Sequence, residues 1–280
     1  MKTWVTLLSH RSYLPGTLAL QRSLSAVSST YPLLVMVTES LDDEARDALA
    51  SEGCILRDVN PLLPPAERQL DYASPRFAHT WTKLRAWELK EVDRAVFLDG
   101  DMLVLRSMDE LFDLQLPAGG IAACRACLCN PDHNPTYPAH WIPENCPYTF
   151  NETARELLLA SPRDYLNAGL FVFEPNPLVF DAIAARLNAL PDGASAPFSD
   201  QDLINAHFSN NWIILPYIYN ALKTLSKSHS NMWSLKAIKN IHYIFDKPWE
   251  QFARSPDDPY ADLNELWWKF WQHGGETRRS

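Results

Sequence analysis

The chain has 280 residues, 46% of them apolar and 21% charged, which is enough apolar material for a full core and argues against disorder. Its 25 basic and 34 acidic side chains leave a net charge of −9, a poor basis for non-specific nucleic-acid or anionic-membrane binding. With only 9 glycines and neither GxGxxG nor GxxxxGK[ST], dinucleotide-binding and P-loop chemistry are disfavoured, and no run approaches the roughly 18–20 apolar residues of a membrane span.

Taken in order, Thr3–Leu8 reads as a buried strand. A helix is expected over 17–28, from Leu20, Leu24 and Val27 at i, i+4 and i+7. Leu33–Thr38 is a second buried strand, 42–52 a helix and Cys54–Val59 a third strand. Residues 81–92 are expected to be helical, with Leu84, Trp87 and Leu89 apolar, and Ala95–Leu98 is a strand running directly into Asp99-Gly100-Asp101. Further on, Gly120–Cys124 and Leu166–Phe173 read as strands and 177–190 and 200–208 as helices. Residues 130–150, with five prolines and the aromatics Tyr137 and Trp141, read as a long structured loop that could face substrate. The tail over 251–280, bearing Trp267, Trp268 and Trp271, is expected to pack as a helix.

This alternation predicts an α/β fold, a mostly parallel central sheet flanked by helices, with ligands bound at the carboxyl ends of strands. No repeat or low-complexity linker appears, so a single domain over 1–280 is expected. The opening apolar run is too short for a signal peptide. Five cysteines, an odd number, fit a reducing compartment better than a disulfide framework, so a cytoplasmic location is expected.

Asp99 and Asp101 lie two apart after an apolar strand. Carboxylates this close repel unless a cation sits nearby or one takes a proton, and oxygen ligands of this kind suit Mg²⁺ or Mn²⁺ held together with phosphates. Asp-Gly-Asp is also good turn chemistry. The cysteines Cys124, Cys127, Cys129 and Cys146, with His133 or His140, raise zinc as a question. C-x₂-C-x-C is not a finger or ribbon spacing, and small buried thiols are the expectation.

In wider context, residues 80–114, with Thr82-Lys83-Leu84 ahead of a strand ending in Asp-x-Asp, resemble glycosyltransferase family 8. Further matches follow in the family's order: Val5-Thr6-Leu7, Asn167-Ala168-Gly169 before LFVFEPN, Asp200-Gln201-Asp202 before Leu203-Ile204-Asn205, and His242-Tyr243 before Lys247-Pro248-Trp249. The resemblance implies a GT-A type fold, with the nucleotide-sugar half over about 1–105 and the acceptor half and tail over about 106–280. It also implies a metal-dependent, retaining hexosyltransferase that moves galactose or glucose from a UDP-sugar to a small polyol, sugar or glycan. By the family pattern, Asp99, Asp101 and His242 hold Mn²⁺ or Mg²⁺ and Lys247 holds the diphosphate. Lys83, Arg76, Gly100, Ala168 and Gly169 help bind the donor, Leu7, Ser9 and Tyr13 lie near the uridine, and Asn167, Asp200 and Gln201 face the sugar. Asp200, Gln201, Asn167 and Lys247 are the candidate catalytic residues. His242 and Lys247 are five apart, so both reach one ligand only if their segment folds over it.

Within the family, Asp99-Gly100-Asp101, APFSDQDLIN before a helix and NAGLFVFEPN resemble the galactinol synthases more than glycogenin. LPYIYN over 215–220 is present, but the following ALKTLSKSHSNMWSL has no tyrosine for self-glucosylation. A self-glucosylating primer and a catalytically silent nucleotide-sugar-binding protein are the alternatives. The sequence leaves the acceptor, and whether the chain forms a homodimer, open.

Overall fold

The computed structural model describes residues 1–131, 133–149, 158–159, 164–250 and 258–273. Along the chain the elements run β1 (Lys2–Leu8), α1 (Leu14–Ala26), β2 (Leu33–Val37), α2 (Asp43–Ser51), β3 (Ile55–Asp58), a 3-10 helix (Pro75–Glu88), β4 (Arg94–Leu98), β5 (Met102–Val104) and β6 (Ile121–Arg125). There follow β7 (Leu158–Leu159), β8 (Leu166–Phe173), α3 (Pro177–Ala189), α4 (Asp200–His207), β9 (Trp212–Leu215), β10 (Ala221–Leu222), α5 (Leu225–Ser228), β11 (Asn240–His242) and α6 (Ala261–His273). Of the tail, 251–257 and 274–280 lie outside the described residues. Among the described residues no helix is long and apolar enough to cross a membrane.

Two compact units alternate along the sequence. One comprises Met1–Thr3, Val59–Phe97 and Leu114–Pro216, and the other Trp4–Asp58, Leu98–Asp113 and Tyr217–Ser280. In the second unit β1, β2 and β3 pair in parallel, with Thr6 opposite Val35 and Val35 opposite Leu56. Every residue of β2 is buried, as in a parallel strand covered on both faces, which is why its sequence is a continuous apolar run. Local chemistry sets the helix ends. Asp42 Oδ1 accepts the Ala45 amide at 2.9 Å to cap α2, whose first turn carries Asp43 and Glu44. Gly53 follows at φ 82°, the left-handed conformation that ends a helix.

The same unit holds a small second sheet in which β11 pairs in parallel with β10 and antiparallel with β5. Trp267 of α6 is fully buried in a core with Leu103, Ile241 and Tyr243, and its ring lies 5.4 Å from Trp249 and 5.5 Å from Trp271. The tail is thus a packed helix over Ala261–His273, as its tryptophans suggested.

In the first unit the strand order is β4-β8-β6-β9-β7, with β6 and β9 parallel and β6 and β8 antiparallel. Trp87 stacks on Phe171 at 5.2 Å, and its ring also meets Phe173 and Phe208. The α-helix expected over 81–92 is instead part of the 3-10 helix Pro75–Glu88. Trp81, Thr82, Lys83, Leu84, Ala86 and Trp87 are all buried, so this segment is enclosed on nearly every side.

Candidate functional site

The expected site residues that the structure brings together form two groups, one in each unit. The group in the second unit is built on the turn between β4 and β5. Because β11 runs antiparallel to β5, His242 lies opposite Met102, the residue after Asp101, and the Tyr243 amide donates to the Asp101 carbonyl at 2.9 Å. A residue 141 positions away in sequence is thereby set beside the acidic turn. His242 Nε2 lies 3.2 Å from Asp101 Oδ1 and 3.8 Å from Asp99 Oδ2, and one ligand atom from each of the three lies within 4.8 Å of the others.

Hydrogen bonding fixes the imidazole's orientation. His242 Nδ1 is 2.9 Å from the buried Asn220 Oδ1, so Nδ1 carries the hydrogen and donates it. That leaves Nε2 as the ring atom that faces the two carboxylates, and its lone pair would be free for a cation held between them. Three acceptors converging in this way suit a divalent cation, and the oxygen–nitrogen set with an outer partner orienting its histidine is of the type that holds Mn²⁺ or Mg²⁺.

Lys247 completes the group. Its Nζ lies 2.5 Å from Asp101 Oδ2 and donates to the Tyr243 carbonyl at 2.9 Å, while its amide donates to Glu250 Oε2. Burial pushes the Asp101 carboxyl up, but Lys247 and then His242 outweigh that and hold it well below the usual carboxylate range. The segment between His242 and Trp249 turns through Phe245 at φ 63°, a conformation disfavoured for a bulky residue, and it sets Trp249 against Tyr13 and Gly16. Tyr13 also lies under Lys247, with Nζ 5.8 Å from its ring. Gly100 is packed closely enough that an added Cβ would meet Thr17 Oγ1 at 3.0 Å. Leu7 and Ser9 stand at the carboxyl end of β1, where Ser9 accepts a hydrogen bond from Ser40 through its carbonyl.

The group in the first unit joins the 3-10 helix, the start of β8 and the start of α4. Lys83 Nζ is 3.0 Å from Asp200 Oδ2, donates to the Ala168 carbonyl at 3.2 Å and lies 5.2 Å from the Phe97 ring. Both partners of this ion pair are buried. Gln201 Oε1 accepts the Ala168 amide at 3.0 Å, and Asn167 Oδ1 accepts the Gly169 amide at 3.0 Å. Arg76 belongs to the same 3-10 helix, and its side chain lies outside what is described.

Asp200 opens α4, whose N-cap residue Ser199 makes no side-chain capping bond. Asp202 Oδ2 accepts the Phe198 amide at 2.7 Å, while Asp200 accepts from the Ser199 hydroxyl and pairs with Lys83. Ser199, fully buried between them, sits at φ 45° and ψ −111°, a strained backbone at the point where Asp200 is aimed.

Sequence reasoning did not single out Asn220, Lys223 or Gly16. Lys223 is buried in the second unit, donates to the Asp246 carbonyl at 2.6 Å and lies 5.0 Å from the Tyr260 ring. Burial, and then the charge of Lys247, push its ammonium down. Asn220 stands within the family-matched LPYIYN segment, which could have marked it. Gly16 and Lys223 belong to no such pattern.

Residues 4–253 match the family described as Glycosyl transferase family 8, and the chain belongs to that family. It is 32% identical to galactinol synthase 7 of Arabidopsis thaliana over 275 residues, spanning 96% of this chain and 80% of that one. With galactinol synthase 2 of Solanum lycopersicum the identity is 31%, over 96% and 79%. Among solved structures, the galactosyltransferase LgtC in complex with donor and acceptor sugar analogues aligns with a TM-score of 0.63 at 17% identity, covering 98% of this chain and 96% of that one. The apo-form glycosyltransferase GlyE of Streptococcus pneumoniae TIGR4 gives 0.65 at 17%, where this chain spans 60% of its length. The fold is therefore GT-A, as expected, and the enzyme class is the one the sequence pointed to, a UDP-sugar-dependent hexosyltransferase.

Proposed function

We propose that the chain is a galactinol synthase-like, retaining hexosyltransferase that moves galactose or glucose from its UDP-sugar to a small polyol, sugar or glycan acceptor, with Mn²⁺ or Mg²⁺ held by Asp99, Asp101 and His242. Residues 1–280 are proposed to work as one catalytic domain in the cytoplasm. The observation that carries this reading is Asp101: one buried carboxylate set beside both Nε2 of His242 and the ammonium of Lys247, with Asp99 alongside. When bound, the divalent ion would neutralise charge on the nucleoside diphosphate.

The chain's own residues divide the remaining work. Lys247 donates to a diphosphate oxygen, and its ammonium stabilises the charge that builds as the sugar–phosphate bond breaks. Tyr13, Leu7 and Ser9 contact the nucleoside, and Lys83, Arg76, Gly100, Ala168 and Gly169 position the donor. Asn167 and Gln201 hold the sugar. Asp200 supports positive charge at the anomeric carbon. Its Oδ1 and Oδ2 are engaged by Ser199 and Lys83 respectively, which favours electrostatic support over direct attack.

The test is a donor panel scored by hydrolysis, then an acceptor screen with the best donor and product mass. Transfer to a polyol that stops on removal of divalent metal is expected. No hydrolysis of any UDP-sugar would leave the silent binding protein as the better account. Self-glucosylation is disfavoured by a specific observation: Tyr217 and Tyr219, the tyrosines of LPYIYN, give their hydroxyl hydrogens to the Met232 carbonyl and to Glu110 Oε1.

A further inference from the structure

We propose that Cys127, Cys129 and Cys146 form a structural zinc site that braces the proline-rich loop of the first unit. The Sγ atoms of these three residues lie within 4.8 Å of one another, and Cys127 Sγ is 3.7 Å from Cys146 Sγ. That separation is far too long for a disulfide, whose sulfurs bond at about 2.05 Å. It equals the edge of a zinc tetrahedron: with Zn–S bonds of about 2.3 Å, two thiolates stand about 3.8 Å apart. The sequence spacing pointed away from zinc, but the folding of the loop makes C-x-C and a cysteine 17 residues on into neighbours.

The surroundings are those of a metal–thiolate centre. The Leu128 amide, between the two cysteines of C-x-C, donates to Cys146 Sγ at 3.4 Å, an outer-sphere bond that stabilises a thiolate. Trp141, Phe198, Leu128 and Ala126 wall the group with apolar surface, and Cys129 and Cys146 are buried. Without a cation this is a poor place for thiolates. Contact with Cys129 and Cys146, and then burial, push the Cys127 thiol far above its ordinary range. Zinc reverses that balance: each of the three thiols releases its proton to solvent as its sulfur bonds to the ion. Cys124 is not a fourth ligand, because its Sγ donates to the Pro216 carbonyl at 3.2 Å. The fourth position therefore takes a nitrogen or oxygen donor.

The position suggests what the metal does. Trp141 stacks on Phe198 at 4.6 Å, and Tyr137 meets the same ring at 4.9 Å. Phe198 immediately precedes the strained Ser199 and Asp200. Fixing the loop at Cys127, Cys129 and Cys146 fixes the aromatic wall that holds the start of α4.

Cobalt substitution separates this site from the oxygen–nitrogen group, since only thiolates give sulfur-to-cobalt charge-transfer absorption. The expected results are about one tightly held zinc per chain in protein made with zinc, a charge-transfer band and tetrahedral visible bands with Co²⁺, and loss of both in Cys127→Ser and Cys146→Ser but not in Cys54→Ser. Should the serine variants fail to fold, an organomercurial titration of the intact enzyme serves instead, with zinc released in step with thiol blocking. Zinc that stays bound after the thiols are blocked, absence of the charge-transfer band, or a Cys127–Cys146 disulfide in peptides of freshly isolated protein overturns the proposal.

Discussion

Gly16→Ala probes how tightly the acidic turn is held. Gly16 lies in the first turn of α1, where alanine is intrinsically the better residue by roughly 0.5–1 kcal/mol. The new Cβ, however, would sit 2.4 Å from the Gly100 carbonyl oxygen and 2.5 Å from the Trp249 ring. Real Cβ contacts do not fall below 3.0 Å, so the Gly100 carbonyl must retreat by at least about 0.6 Å. It is backbone and cannot rotate away as a side-chain tip would. Overpacking of this kind costs about 1–3 kcal/mol, leaving a net destabilisation of about 0–2.5 kcal/mol, centred near 1 kcal/mol, after the helix gain. The displacement falls on the residue between Asp99 and Asp101. A small hard cation tolerates little misplacement of its oxygens, so Mn²⁺ affinity should fall roughly 10- to 100-fold, the range for lost outer-sphere support. Gly53→Ala is the control. Its φ of 82° strains alanine by about 1–2 kcal/mol, yet nothing lies within 4 Å of the added carbon and metal binding should be unchanged. Urea unfolding would give the stabilities, and calorimetric titration of Mn²⁺ with UDP present the affinities. The reasoning fails if Gly16→Ala is more stable than the parent, or if both variants bind Mn²⁺ alike.

Chelation should remove most of the melting-temperature rise that UDP gives with Mn²⁺; equal rises with metal and with chelator would remove Asp99, Asp101 and His242 from the role proposed. Lys247→Ala should lose about 2–4 kcal/mol of leaving-group stabilisation, as when one preorganised donor is deleted, read as a fall in kcat with the metal still bound. His242→Ala should instead weaken metal and nucleotide together. Asp200→Asn should lower turnover more than donor affinity, because the group acts chiefly in the transition state; unchanged turnover would exclude it. Incubation with UDP-glucose should add no hexose increments to the intact mass, and increments abolished by Tyr217→Phe or Tyr219→Phe would revive the self-glucosylating alternative.

Buried strands announced themselves in the sequence because burial on both faces demands an unbroken apolar run, as in Leu33–Val37 and Leu166–Phe173. Apolar periodicity placed helix starts to within a few residues: 17 was expected where α1 begins at Leu14, and 42 where α2 begins at Asp43. The acidic turn was legible too, because its two aspartates are neighbours in the chain and its family pattern travels with them. Tertiary structure decided the rest, and the reason is distance along the chain. Periodicity could not tell which kind of helix the one expected over 81–92 would be, since Leu84 and Trp87, three apart, fit an α-helix or the 3-10 helix found. The short strands β5 and β11 carry too few residues to show a pattern, yet their pairing is what brings His242 to Asp101. Lys83 and Asp200 are separated by more than a hundred residues, and nothing local says that they form a buried ion pair. In the cysteine loop, spacing could not show that Cys127, Cys129 and Cys146 meet, because sequence measures separation along the chain and the three sulfurs come together only once the loop has closed.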